Sequence, residues 1–133
     1  MKGVRARARR GGWTALMYAA HHGGEHAAEM MRLLVDAGAD ANKATREGGY
    51  TALSIAAEHG GEHAEAMMRL LVDAGADANK QAENGSTALM VAAEHGGKHG
   101  AGKMRLLVDA GADANTQDEN GQTALMYLSL IHI

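Results

Sequence analysis

The chain has no cysteine and no phenylalanine, and only 3% of its 133 residues are aromatic. Without cysteine there is no disulfide framework and no cysteine-based zinc site, a composition that fits a reducing compartment. Without phenylalanine, the 46% of residues that are apolar cannot form one large aromatic core. Thin layers of Leu, Met and Val, spaced by alanine, are expected instead. No apolar run approaches the ~20 residues of a membrane-spanning helix. None follows the basic start either, so no secretory signal is read there. The length is that of one domain.

Charge is unevenly spread. The total is −3, yet five of the 13 basic residues (Lys2, Arg5, Arg7, Arg9 and Arg10) lie in the first ten. From residue 11 onward eight basic residues face all 16 acidic ones, a balance of −8. Basic runs can bind nucleic acid or act as import signals. Here Gly12-Trp13-Thr14 aligns with Gly49-Tyr50-Thr51, so residues 1–13 read better as the degenerate end of a preceding repeat. Neither a nucleic-acid partner nor a targeting role is expected of them.

What is present is repetition. Thr14-Ala-Leu, Thr51-Ala-Leu, Thr87-Ala-Leu and Thr123-Ala-Leu recur at a period of 36 to 37 residues. The phrase Arg-Leu-Leu-Val-Asp-Ala-Gly-Ala-Asp-Ala-Asn ends each of the first three units, at 32–42, 69–79 and 105–115. A period in this range marks stacked units, none of which can bury its apolar face alone. Function then points to an extended binding surface rather than a catalytic pocket.

In the second unit Thr51 suits a helix N-cap. A short helix is expected over 52–58, with Leu53, Ala56 and Ala57 on its apolar side, closed by Gly60-Gly61. A second helix is expected over 63–74, with Met67, Leu70 and Leu71 facing the stack and Arg69 and Asp73 facing water. Gly75 stops it. Residues 76–86 lose the helical period and carry the turn dipeptide Asn84-Gly85.

These residues resemble the ankyrin repeats. The likeness covers 14–127 and rests on Gly-x-Thr-x-Leu at 49–53, Ala56-Ala57, Leu70-Leu71 and Gly-Ala-Asp-x-Asn at 75–79. It implies an all-α solenoid of stacked helix-turn-helix units with projecting hairpin-like loops. It also implies a scaffold that binds other proteins through its loop fingers and short helices, without catalysis or cofactor, inside the cell in cytoplasm or nucleus. The alternative is a targeting module of a larger enzyme or channel, whose active domain lies elsewhere. Repeats are placed at 14–50, 51–86 and 87–122, with a truncated fourth at 123–133. Two departures stand out. The family's usual Thr-Pro-Leu-His start lacks both its proline and its histidine here, which predicts looser corners. Each unit also exceeds the usual ~33 residues, with the excess around Gly-Gly-Glu-His-Ala. The excess should lengthen the turn or add to the second helix.

Histidines fall in two columns, His22, His59 and His95, and His26, His63 and His99. With Glu25 and Glu62 they spell His-x-x-Glu-His twice, a zinc-protease pattern. That chemistry needs both imidazoles on one face of a continuous helix, whereas Gly23-Gly24 and Gly60-Gly61 interrupt it. The third copy has Lys98 in place of the glutamate. No metal site is therefore expected, and unit duplication explains the columns. Met30-Met31 and Met67-Met68 are read as core by their helical spacing.

Positions shared by all units build the stack, so positions that differ are the candidates for recognition. Before each threonine stand Trp13, Tyr50, Ser86 and Gln122. In ankyrin repeats this slot lies on the finger, and aromatic anchors dominate binding energies. Arg46, Glu47, Glu83, Asn84, Glu119 and Asn120 vary on the fingers, and His21, Glu58 and Glu94 share a short-helix column. The expected partner is a protein rather than a small-molecule substrate. The end of the chain breaks phase: Leu128-Ser-Leu-Ile-His-Ile133 reads like a translated sequencing-library adapter. The expectation is that 128–133 are not native and that self-association can occur through the uncapped last repeat.

Overall fold

The computed structural model describes residues 12–59, 61–95 and 97–131, the last three by their backbone alone. The basic arm up to residue 11 and the last two residues lie outside them. The described residues form seven α-helices and no strand. These are α1 (Ala15–His22), α2 (Ala27–Asp36), α3 (Ala52–His59), α4 (Ala64–Asp73), α5 (Ala88–His95), α6 (Gly100–Asp109) and α7 (Ala124–Ile131).

Helices of eight and ten residues are too short to persist alone in water. Threonine caps start three of the eight-residue helices, the ten-residue ones have no side-chain cap, and packing keeps them all. Thr14, Thr51 and Thr87 each accept the amide three residues on, at 3.3, 3.4 and 3.3 Å, which satisfies an orphan donor of the first turn. Sequence reasoning expected loose corners where the family histidine is missing. In the second unit Ser54 replaces its bond, with Oγ accepting from the Thr51 amide at 3.1 Å. Each predicted helix is present, with ends within a residue of expectation. The excess residues lengthen the link between the helices: a 3-10 turn, Gly61–His63 or Gly97–His99, leads directly into α4 or α6.

The odd-numbered helices pack side by side in one row and the even-numbered ones in a second, with each pair joined within its unit. The odd row is the more closely packed, so the stack curves with that row on its concave side. Between the rows lie Leu16, Met17, Met31, Leu53, Met67, Met68, Leu71, Leu89, Met90 and Leu107, all under 2% exposed. Burying a side chain of this size contributes about 1.5–3 kcal/mol. The layers are thin, as a chain without phenylalanine requires.

One core expectation needs correction. Met30 was read as core but is 49% exposed, and Leu33 beside it is 67% exposed. Their counterparts Met67 and Leu70 pack against the preceding unit, and no described residue supplies that layer to α2. The core also takes in a residue that sequence reasoning did not single out, Lys103, which occupies the Met67 slot of the third unit and is only 3% exposed. Its Nζ donates to the Ala57 carbonyl at the end of α3, at 3.0 Å. Burial lowers its pKa, and the Glu65 carboxylate opposes that shift.

Polar bonds join units along the finger edge. Asn42 Nδ2 donates to the Gly75 carbonyl and Asn42 Oδ1 accepts from the Asp77 amide, at 2.9 and 2.7 Å. Asn79 repeats both bonds one unit on, to Gly111 and Asp113, at the same distances. No helix among the described residues is long and apolar enough to cross a membrane.

Candidate functional site

The fingers are tight reversals closed by a backbone bond: Thr45 N to Tyr50 O, Ala82 N to Ser86 O and Asp118 N to Gln122 O, at 2.8, 2.8 and 2.9 Å. The first contains one residue more than the others, which accounts for its longer period. A different side chain organises each tip. The Thr45 hydroxyl donates to the Glu47 carbonyl and accepts from the Tyr50 amide. Asn84 Oδ1 accepts from the Ser86 amide. Asp118 Oδ1 accepts from Asn120 and Gln122 amides. Neighbouring tips are bonded, Glu83 N to Gly48 O and Glu119 N to Asn84 O, both at 2.9 Å.

Two glycines make this possible. Gly48 has φ 90°, and a Cβ there would run into the Tyr50 ring. The ring therefore lies across the Gly48 backbone, which fixes its direction. A Cβ on Gly85, at φ 83°, would sit 2.8 Å from the Glu119 amide nitrogen, too close for the next finger to approach.

At the opening of the stack Trp13 lies 5.2 Å from the Tyr18 ring and 5.5 Å from His21. The histidine column is staggered rather than straight. His59 meets His21 of the preceding unit at 4.5 Å, and His95 Nε2 lies 3.7 Å from both Glu58 and Glu94. Each helix end thus interlocks with the neighbouring unit's preceding residue. Gly23, at φ 54°, turns the chain between His22 and His26. Among the described residues no three His, Asp or Glu converge as a metal would require.

The candidate residues divide by exposure. Arg46, Glu47, Glu83, Asn84, Glu119, Asn120, Tyr50, Glu58 and Glu94 are exposed, while Trp13, His21, Ser86 and Gln122 are half-buried. Trp13, His21, Glu47, Tyr50 and Glu58 come together around one recess of about 490 Å³, floored by Ile55. Tyr50, Glu58, Asn84, Ser86 and Glu94 meet around a second, of about 120 Å³. Arg46, Glu83, Gln122, Glu119 and Asn120 line neither.

Sequence reasoning missed Tyr127, which borders the second recess and donates its hydroxyl hydrogen to Asp118 Oδ2. That bond lowers the Asp118 pKa, with the amides of Gln122 and Asn120 adding to it, and raises that of Tyr127 to about 12. The signal was present: Tyr18, Ile55, Val91 and Tyr127 form a column that varies between units.

Helix pairs joined by tight turns, fingers bonded tip to tip and an asparagine ladder between units describe one architecture. The family model "Ankyrin repeats (3 copies)" matches residues 2–82 and again 61–130, nearly the whole chain. The chain belongs to the ankyrin-repeat family. No curated protein matches it. Ankyrin repeats are in general protein-interaction modules and typically non-catalytic. In this ankyrin chain the finger slot before each threonine holds Trp13, Tyr50, Ser86 and Gln122, and the first two are aromatic.

Proposed function

We propose that this ankyrin stack binds a partner protein on its concave side, through its fingers and the odd-numbered helices, without chemistry of its own. The observation that carries the reading is convergence. Five of the residues that differ between units (Trp13, His21, Glu47, Tyr50 and Glu58) line one recess, while the shared residues are spent on caps, core and ladder. An aromatic pair within a partly desolvated recess is the usual make-up of an interface hot spot. A photo-crosslinking amino acid placed at Glu94 or Asn120 should capture protein partners, and one at Arg32 or Arg69 on the outer side should not. Equal capture from both sides would defeat the assignment.

Self-association is the second reading. Leu125 and Met126 are 71% and 47% exposed at one end of the stack, and Met30 and Leu33 are exposed at the other. Joining unlike ends gives open chains rather than closed dimers. Sedimentation velocity should show species that grow with concentration, and Leu125→Glu should remove them. A mass independent of concentration would dismiss this reading.

A further inference from the structure

Among the described residues, the concave side carries carboxylates that no Lys or Arg pairs with. The first recess has Trp13 and Tyr50 as aromatic walls and Glu47 and Glu58 as carboxylates. The second shares Tyr50 and Glu58 and adds Glu94. Among the described residues, neither has a Lys or Arg in its lining. The grooves on the outer side differ: Arg32, Arg69 and Arg105 stand there beside Asp36, Asp73 and Asp109, so charge is balanced locally. On the inner side the ion-pair partners of Glu58 among the described residues are imidazoles, His59 Nε2 at 3.2 Å and His95 Nε2 at 3.7 Å.

Aromatic faces and carboxylates attract the same ligand. The ring quadrupole draws a cation to its face, and a guanidinium can stack on a ring while its edge binds a carboxylate through two N–H donors. Volume agrees, because about 490 Å³ admits the long stem that precedes such a group. The second recess is smaller and lies on the far side of Tyr50, one unit along. Adjacent helices pack about 8–10 Å apart. A peptide in polyproline II conformation brings residues i and i+3 onto one face ~9 Å apart.

We propose that the recess between Trp13 and Tyr50 receives an arginine side chain from an extended segment of the partner protein, with Glu47 and Glu58 as its counter-ions. A second basic residue three positions along the segment reaches the recess shared by Tyr50, Glu58 and Glu94. The proposal rests on the concave-side reading above and gives it a chemical class of partner. Trp13 is the only tryptophan of the chain, so its fluorescence reports on the first recess directly.

The test titrates the full chain with the peptide acetyl-GGRGGRGG-amide, followed by Trp13 fluorescence, beside the same peptide with glutamine at both arginines. The arginine peptide should bind at least tenfold more tightly and weaken as salt rises from 50 to 300 mM. Glu47→Gln with Glu58→Gln should lower its affinity about tenfold. Asp36→Asn, on the outer side, should leave it unchanged. Both glutamates are exposed, and circular dichroism with a melting curve checks that the double variant stays folded. Equal binding of the two peptides, or equal loss in the Asp36→Asn variant, would overturn the proposal. So would dissociation of chain oligomers by the peptide, because the groove would then hold the basic stretch of a second copy. If crosslinking at Glu94 still captures a partner while the arginine peptide fails to bind, the peptide chemistry is wrong and the protein-binding reading survives.

Discussion

The second and third units keep the same Arg-Leu-Leu-Val-Asp frame in their outer helices, and differ over the first four residues. Helix α4 begins Ala64-Glu-Ala-Met67 and α6 begins Gly100-Ala-Gly-Lys103. Met67 and Lys103 are equally hidden, at 0% and 3% exposure, so one slot accepts a thioether or an ammonium. It accepts the ammonium because the long stem fills the same space and the tip reaches a carbonyl at the end of α3, where the helix carries negative partial charge. Stacking therefore depends on slot shape and on a partner for any polar tip, more than on residue class.

The sharpest way to break that equivalence is to write the third unit's choice into the second. By the repeat offset Ala28 stands where Glu65 does for Lys103, so Met67→Lys lacks the carboxylate that opposes the shift at Lys103. A loss of about 3 kcal/mol is expected in urea unfolding. A loss below about 1 kcal/mol would show that the slot takes lysine regardless of its surroundings.

The reverse exchange, Lys103→Met, should stabilise by about 1–2 kcal/mol at pH 7, since a well-packed apolar side chain commonly outdoes a buried charge. Its pH dependence has a definite sign. Burial lowers the Lys103 pKa in the folded chain, so the unfolded chain holds that proton more firmly. Parent stability therefore rises with pH between the lowered value and the unfolded one of about 10.4, and the advantage of Lys103→Met shrinks there. An advantage that is constant between pH 7 and 10 would remove charge burial as its cause.

A smaller effect separates the two glycines of α6. Gly100→Ala should stabilise by about 0.5–1 kcal/mol through helix propensity, because its Cβ would meet only the Ala92 carbonyl at 3.7 Å. Gly102 lies under the Glu65 carboxylate, which a Cβ would displace, so Gly102→Ala should gain little. Equal melting temperatures for the two variants would contradict this.

The smallest expected effect is at the fourth unit. Tyr127→Phe should cost about 0.5 kcal/mol, because the bond to Asp118 is only partly shielded from water. The lowered Asp118 pKa makes this contribution present above the unfolded carboxyl value near 3.9 and lost as pH falls through the folded one. The raised Tyr127 pKa removes it again as pH climbs from about 10 through about 12. Parent and variant should therefore converge at both extremes, and a gap that persists at pH 2.5 would exclude the bond as its source.

Much of this fold was legible because its determinants are local and repeated. Thr51, Gly75 and the Leu70-Leu71 pair act within one unit, and three copies in phase average out accidents. What was not legible depends on the neighbouring unit. Lys103 looks like any solvated lysine until the end of α3 is placed beside it. Met30 looks like Met67 until the layer against it is considered. The staggered histidines need the offset between successive helices, which no spacing in the chain encodes. The candidate residues were legible as a set of variable positions, but their division between two recesses and open fingertips was not.

The asparagine ladder has a mechanical consequence. Asn42 and Asn79 fasten successive units along the finger edge, like the stitched spine of a book. Pages bound on one side open on the other, so the stack should flex about its spine and spread at the glycine turns. The second and third units have a further clasp away from the spine, the Lys103 bond to Ala57. Flexing should then fall mainly between the first and second units, which makes the recess between Trp13 and Tyr50 the place where the stack can adjust its grip.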